Sequence, residues 1–191
     1  MDEWRIKVLK EQDLWEKKKW ISAPGLCDIV KKTFETEGLI TGLEIGVASG
    51  WTMNHFLNQI PNLILIGVDP YVAYDDGGIQ ITQEKLDAQF AAAQENISEF
   101  DRATIVKEYS DKVASFVEDE LLNYIFIDGD HSYEGVLKDL ENFYSKVKPG
   151  GIFAGHDYSL KSVRDALDEF RKNKNFDSIK HTTHDVWYWI K

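Results

Sequence analysis
The side chains best suited to chemistry fall in five short groups. They are Glu44-Ile45-Gly46-Val47-Ala48-Ser49-Gly50, Asp69-Pro70-Tyr71, Tyr109-Ser110-Asp111, Asp128-Gly129-Asp130-His131 and Gly155-His156-Asp157-Tyr158. Every group holds an acid, and two of the five histidines, His131 and His156, are among them. Carboxylates packed together raise one another's pKa and are costly to desolvate. A divalent cation relieves that repulsion and lowers the pKa of a hydroxyl bound to it. A histidine beside such acids can take up a proton near neutral pH.

Each group follows a short apolar run. Residues 39–47, 63–68, 103–109, 121–127 and 152–154 read as strands, with 121–127 buried on both faces. Helical spacing of apolar residues appears over 25–37, 50–60, 82–100, 110–116, 133–147 and 159–172, with Thr82 as an N-cap. Pro149-Gly150-Gly151 reads as a turn, and Tyr74 to Gly78 as a mobile loop able to act as a lid. Alternating strands and helices imply βαβ units and a parallel sheet. The tail, 176–190, reads as two strands with no helix between them, so they pair as a hairpin and add an antiparallel element. In an open α/β sheet, ligands bind beyond the carboxyl ends of the strands. All five groups lie there.

Residues 1–20 carry interspersed Trp4, Val8 and Trp15 and suit an amphipathic helix. The chain divides into an N-terminal helical cap, 1–37, and a ligand-binding domain, 38–191. Trp4, Trp15 and Trp20 could cap a substrate pocket or form a homodimer contact; Lys17-Lys18-Lys19 is a solvated helix face. With 22 basic against 33 acidic residues, the net charge of −11 speaks against nucleic-acid binding and against docking on anionic membrane. No apolar run reaches the roughly 20 residues of a spanning helix, and no leader core is visible. Cys27 is the only cysteine, which excludes an intrachain disulfide and a cysteine-based zinc site and makes the cytoplasm the expected compartment.

Gly46 and Gly50 bracket a strand-to-helix turn. Position 48 is alanine, so the dinucleotide pattern GxGxxG is not met and the pattern is ExGxxxG. Asp69 stands after the second strand, where an acid can accept both hydroxyls of a ribose. Together these point to a nucleoside ligand.

LEIGVASGWT, IGVDPY, FIDGDHSYEGVLKDL and KPGGIFAGHDY resemble the class I S-adenosylmethionine-dependent methyltransferases. The last two segments resemble most the small-molecule and sugar O-methyltransferases of macrocin and catechol type. The resemblance covers residues 38–191. It implies a Rossmann-like, seven-stranded, mainly parallel sheet with an antiparallel C-terminal strand and helices on both faces. It implies that Glu44, Gly46, Ser49 and Gly50 hold the methionine end of S-adenosylmethionine. Asp69 would bind its ribose, Ser110 and Asp111 would lie near its adenine, and Asp128 would adjoin it. The absence of a phosphate in that cofactor agrees with the missing GxGxxG.

The resemblance also places metal ligands at Asp128, His156 and Asp157. The first of the adjacent pair is usually an acid, whereas here it is His156. Oxygen ligands suit magnesium or calcium, and imidazole shifts the preference toward manganese, iron or zinc. His156 could instead hydrogen-bond the substrate or Asp157. The base would be His131 or its neighbour Asp130. The implied activity is metal-assisted methyl transfer to a hydroxyl of a small molecule or sugar. A non-catalytic S-adenosylmethionine-binding module and a nicotinamide-dependent oxidoreductase are the alternatives.

Other polar and aromatic residues carry weaker signals. His55 reads as packing or surface, and His181 and His184 sit in the terminal hairpin without a partner. Trp187 and Trp189 share one face of the last strand and read as core. Tyr71, Tyr74 and Tyr158 flank the expected mouth.

Overall fold
The computed structural model describes residues 23–76, 79–174 and 178–191. The helix expected over 1–20, with its tryptophans and lysines, lies outside the described residues. Nine strands are described: β1 Ile40–Ile45, β2 Leu63–Val68, β3 Tyr74–Asp76, β4 Ile79–Ile81, β5 Ala103–Val106, β6 Leu122–Ile127, β7 Val147–Gly155, β8 Lys180–Thr182 and β9 Val186–Ile190. Six helices are described: α1 Pro24–Thr33, α2 Trp51–Gln59, α3 Gln83–Ile97, α4 Ser110–Ala114, α5 Tyr133–Tyr144 and α6 Lys161–Lys174.

Seven strands form one sheet in the order β5-β2-β1-β6-β7-β9-β8. The pairs from β5 to β7 are parallel, and β9 runs antiparallel between β7 and β8. The chain starts in the middle at β1, works outward to β5, then returns to β6 on the other side. The order therefore reverses between β1 and β6, and a crevice opens at their carboxyl ends.

Alternation along the central strands divides the core. On one face Tyr124, Phe126, Ile152 and Ala154 meet α1, α2 and α3 through Leu26, Met53, Phe56 and Leu86. On the other, Ile125, Ile127 and Phe153 meet α4, α5 and α6 through Val113, Leu140 and Phe170. Helices cover both faces, so β6 is buried at every position. Trp187 and Trp189 point into the second core and stack at 5.5 Å between ring centroids. Pro24 opens α1, where its missing N–H costs nothing. Leu26, Cys27 and Val30 then bury that helix against the sheet's first core, at about 1.5–3 kcal/mol for each large apolar side chain. Burial pushes the Cys27 thiol up to about 12, so it stays a protonated core residue.

Two segments differ from expectation. Within the stretch Tyr74 to Gly78, read as a loop, the described residues Tyr74–Asp76 form β3, which pairs antiparallel with β4, Tyr74 opposite Ile81 and Asp75 opposite Gln80. Pro149-Gly150-Gly151, read as a turn, lies inside β7 at a register irregularity. There Lys191 extends the pairing of β9 with β7: Gly150 N donates to Lys191 O at 2.7 Å, and Lys191 N donates to Gly151 O at 2.8 Å. Thr82 does cap α3, its hydroxyl accepting from Lys85 N at 3.3 Å.

Candidate functional site
The site is built on the sheet reversal. Gly46 N donates to Val68 O at 2.9 Å and Asp128 N to Ile45 O at 2.8 Å, which ties the loops after β1, β2 and β6 together. Gly46 has φ +84, and a Cβ there would stand 2.0 Å from the Asp128 carbonyl oxygen. Only glycine lets the two loops approach this closely. Gly50 has φ +75 and begins α2.

Asp69 organises the first loop. Its Oδ2 accepts from Val47 N at 3.0 Å and Ala48 N at 3.1 Å, and its Oδ1 accepts from Tyr71 N at 2.9 Å. The Tyr71 phenol donates back to Ala48 O at 2.8 Å. Tyr71 was expected at the mouth; it is 1% exposed and closes this ring of contacts from inside. Ala48 and Tyr71 both have positive φ, 47° and 48°. Such backbone persists only where its surroundings enforce it. Nothing in the sequence spacing signals the Tyr71–Ala48 contact.

Glu44 is 4% exposed, and its carboxyl forms no hydrogen bond among the described residues. Burial, then the nearby Asp128 and Asp69, push its pKa well above the usual carboxylate range. Among the described residues, this half of the site has acids and no basic partner.

The other half pairs acids with imidazoles. His131 Nε2 stands 2.9 Å from Asp157 Oδ2 and 3.5 Å from Asp128 Oδ1. His156 Nδ1 stands 3.0 Å from the same Asp157 oxygen and 3.7 Å from Asp128 Oδ1. Hydrogen bonds to Asp128 and Asp157 raise His131 to about 10. Burial pulls His156 down, but Asp157 and Asp128 outweigh it and the net shift is upward. Both imidazoles hold Asp157 well below the carboxylate range, His131 foremost. The Nε2 of His156 is buried without a partner among the described residues. Asp128, His131 and Asp157 each offer a ligand atom within 4.8 Å of the others. This set includes His131, which the sequence reading cast as a base, and leaves His156 bridging to the two acids through Nδ1.

The remaining expected residues are engaged locally. Ser110 Oγ donates to Asp139 Oδ1 at 2.6 Å, and Asp111 pairs with Lys138 at 2.7 Å, so both are tied to α5. Asp130 Oδ1 accepts from Ser132 N at 2.8 Å, and Ser132 caps α5. The Ser49 carbonyl oxygen accepts from Asn96 Nδ2 at 2.7 Å. Tyr158 has an aromatic partner that spacing did not reveal, the His181 ring at 4.2 Å.

The donor set can be tested against an S-adenosylmethionine-like ligand. Among the described residues Glu44 and Asp69 offer carboxylates with no paired cation, and Asp128 adds a third carboxylate shared with the imidazoles, which suits an ammonium, a sulfonium and ribose hydroxyls. They would repel a phosphate. Asp69 Oδ1 and Oδ2 still have lone pairs beyond their three backbone bonds. The residues present fit that cofactor, and the acid–imidazole cluster fits a divalent cation with mixed oxygen and nitrogen ligands.

Comparison with known proteins agrees. Residues 43–158, more than half of the chain, match the family described as a methyltransferase domain. An uncharacterized protein of Acanthamoeba polyphaga mimivirus is 32% identical over 130 residues, 66% of this chain and 54% of that protein. The chain thus spans about half the length of that relative. The structure of the O-methyltransferase NovP superposes with a TM-score of 0.69 at 19% identity, over 87% of this chain and 78% of that one. An O-methyltransferase from Bacillus cereus, solved with S-adenosylhomocysteine, gives 0.60 at 14% identity, over 88% and 82%. These structural likenesses are likenesses of fold. With the family match, the sheet order and the site geometry in hand, the chain belongs to the class I S-adenosylmethionine-dependent methyltransferases.

Proposed function
We propose that the protein moves the methyl group of S-adenosylmethionine to a hydroxyl oxygen of a small molecule or sugar, assisted by a divalent cation. One observation carries the reading. Asp128 faces both halves of the site: it raises buried Glu44 on one side and bonds His131 on the other. A donor bound against Glu44 and Asp69 would therefore adjoin an acceptor bound against Asp157.

When bound, the sulfonium would supply an electrophilic methyl carbon to the acceptor oxygen and leave as the neutral thioether of S-adenosylhomocysteine. The cation would be held by Asp128 and Asp157, with His131 or His156 as nitrogen ligand, and would acidify the acceptor hydroxyl. Imidazole in the set favours manganese, iron or zinc over magnesium. The hydroxyl proton goes to His131 or Asp130. While His131 remains bonded to Asp128 and Asp157 it is already protonated at neutral pH, so it can serve as base only once those acids are engaged elsewhere. Asp130 is exposed and spends one oxygen on Ser132 N. Alignment of acceptor and donor supplies much of the rate in such a reaction.

No helix among the described residues is long and apolar enough to cross a membrane. A reducing cytoplasm suits the single, buried Cys27. The test is transfer from methyl-labelled S-adenosylmethionine to a panel of phenols, catechols and sugars with manganese or magnesium. Labelled product and S-adenosylhomocysteine in equal amounts are expected. Binding of the donor with no transfer to any hydroxyl would replace this reading with that of a non-catalytic module.

A further inference from the structure
The first turn of α6 grips both loops that meet at the Asp157–His131 contact. Ser162 Oγ donates to the His131 carbonyl oxygen at 2.7 Å. Two residues on, Arg164 Nη1 donates to the Tyr158 carbonyl at 2.9 Å and also to that of Ser159. Those two carbonyls belong to the residues directly after Asp157.

The same loop is held from the other side. Asp185 accepts Ser159 N with both carboxylate oxygens, each at 3.0 Å, and its carbonyl accepts Tyr158 N at 3.2 Å. Trp187 Nε1 donates to the His156 carbonyl at 2.9 Å. Between these clamps Asp157 sits at φ +58. A residue other than glycine in that region costs on the order of 1–3 kcal/mol, and it stays there only when its neighbours over-determine it. Arg164, Asp185 and Trp187 are those neighbours. A helix is stiff, with about 1.5 Å of rise per residue. Ser162 and Arg164 therefore form a rigid rung between the His131 loop and the Asp157 loop.

We propose that Arg164 and Ser162 are positioning residues that set where the Asp157 carboxylate stands relative to the His131 imidazole. This inference rests on the reading that the two residues form the acceptor side of the methyltransferase. It assigns α6 a task beyond filling the second core. Partners of this kind, one bond removed from a metal or a reacting group, commonly change metal affinity by about 10–100-fold when lost.

The test uses the full chain with 15N-labelled histidine. The His131 ring nitrogens are assigned by their loss in His131→Asn, and Asp157→Asn marks the direction in which they move when the contact is broken. Arg164→Ala is expected to move them the same way, Ser162→Ala by less, and Arg164→Lys, which keeps a donor at the carbonyls, should leave them near native. If Arg164→Ala does not fold, Arg164→Gln carries the same expectation. S-adenosylhomocysteine affinity should stay within about twofold in the Arg164 and Ser162 variants, and manganese affinity should fall about tenfold in Arg164→Ala. Native His131 resonances in the alanine variants would overturn the proposal. A native chain that binds neither S-adenosylhomocysteine nor manganese would overturn the methyltransferase reading instead, and the His131 resonances would still decide the role of Arg164.

Discussion
The two halves of the site meet the same electrostatic problem in opposite ways. Around β1 and β2, Glu44 and Asp69 stand without a cationic side chain among the described residues, and Asp69 is held by three backbone N–H groups. Around β6 and β7, Asp128 and Asp157 are held by two imidazoles. The first half leaves its negative charge for a ligand to neutralise. The second supplies its own positive charge, which a metal or an acceptor must displace. That difference suits a cationic donor on one side and an exchangeable proton on the other. It also means that substitutions in the two halves should separate.

The largest effect is expected from Asp157→Asn. Loss of the carboxylate removes the partner of both histidines, and turnover of any acceptor found by the labelled panel should fall about 10³-fold. S-adenosylhomocysteine affinity should change by less than about threefold, measured by calorimetry. An equal loss of both would erase the division between the halves.

Gly46→Ala attacks the junction itself. The new Cβ must displace the Asp128 carbonyl at an unfavourable φ. A loss of about 3 kcal/mol is expected, seen as a melting temperature lower by about 6–12 °C, together with weaker S-adenosylhomocysteine binding.

Asp139, outside both halves, supplies a pH-dependent control. Burial raises its carboxyl to about 6, against about 3.9 in an unfolded chain. The folded protein thus keeps a proton that the unfolded chain has released between those values. Stability from this group is full below about pH 4 and is lost as pH rises through about 6. Asp139→Asn should therefore stabilise the protein by about 2 kcal/mol at pH 8 and by little at pH 4, in urea unfolding.

Glu44→Gln sharpens the comparison with the smallest change. Replacing the buried carboxyl, which a cationic ligand would ionise, by an amide of the same shape should weaken S-adenosylhomocysteine about tenfold. Manganese binding to the other half should remain native, as read by calorimetry.

Much of this was legible in the sequence because strand ends repeat a pattern. Leu63–Val68 and Leu122–Ile127 are apolar runs closed by Asp69 and Asp128, and parallel topology brings such ends to one rim. What stayed hidden depends on contacts between distant residues. Tyr71 is a surface-type residue by position, and its packing on Phe90 and its bond to Ala48 bury it. Pro149-Gly150-Gly151 has turn composition, and only pairing with Lys191 keeps it in a strand. The β3–β4 hairpin has strands too short to show alternation. His131 was placed near the acids by spacing, but its pairing to Asp157 joins loops from β6 and β7 that the sequence separates by 26 residues.

The most direct measurement is calorimetric titration of S-adenosylhomocysteine into chelator-treated protein, alone and with manganese or magnesium. Micromolar binding without metal is expected, with added heat or affinity when manganese engages the Asp128, His131, His156 and Asp157 cluster. No binding under any of these conditions would contradict the assignment of the β1 and β2 acids to the methyl donor.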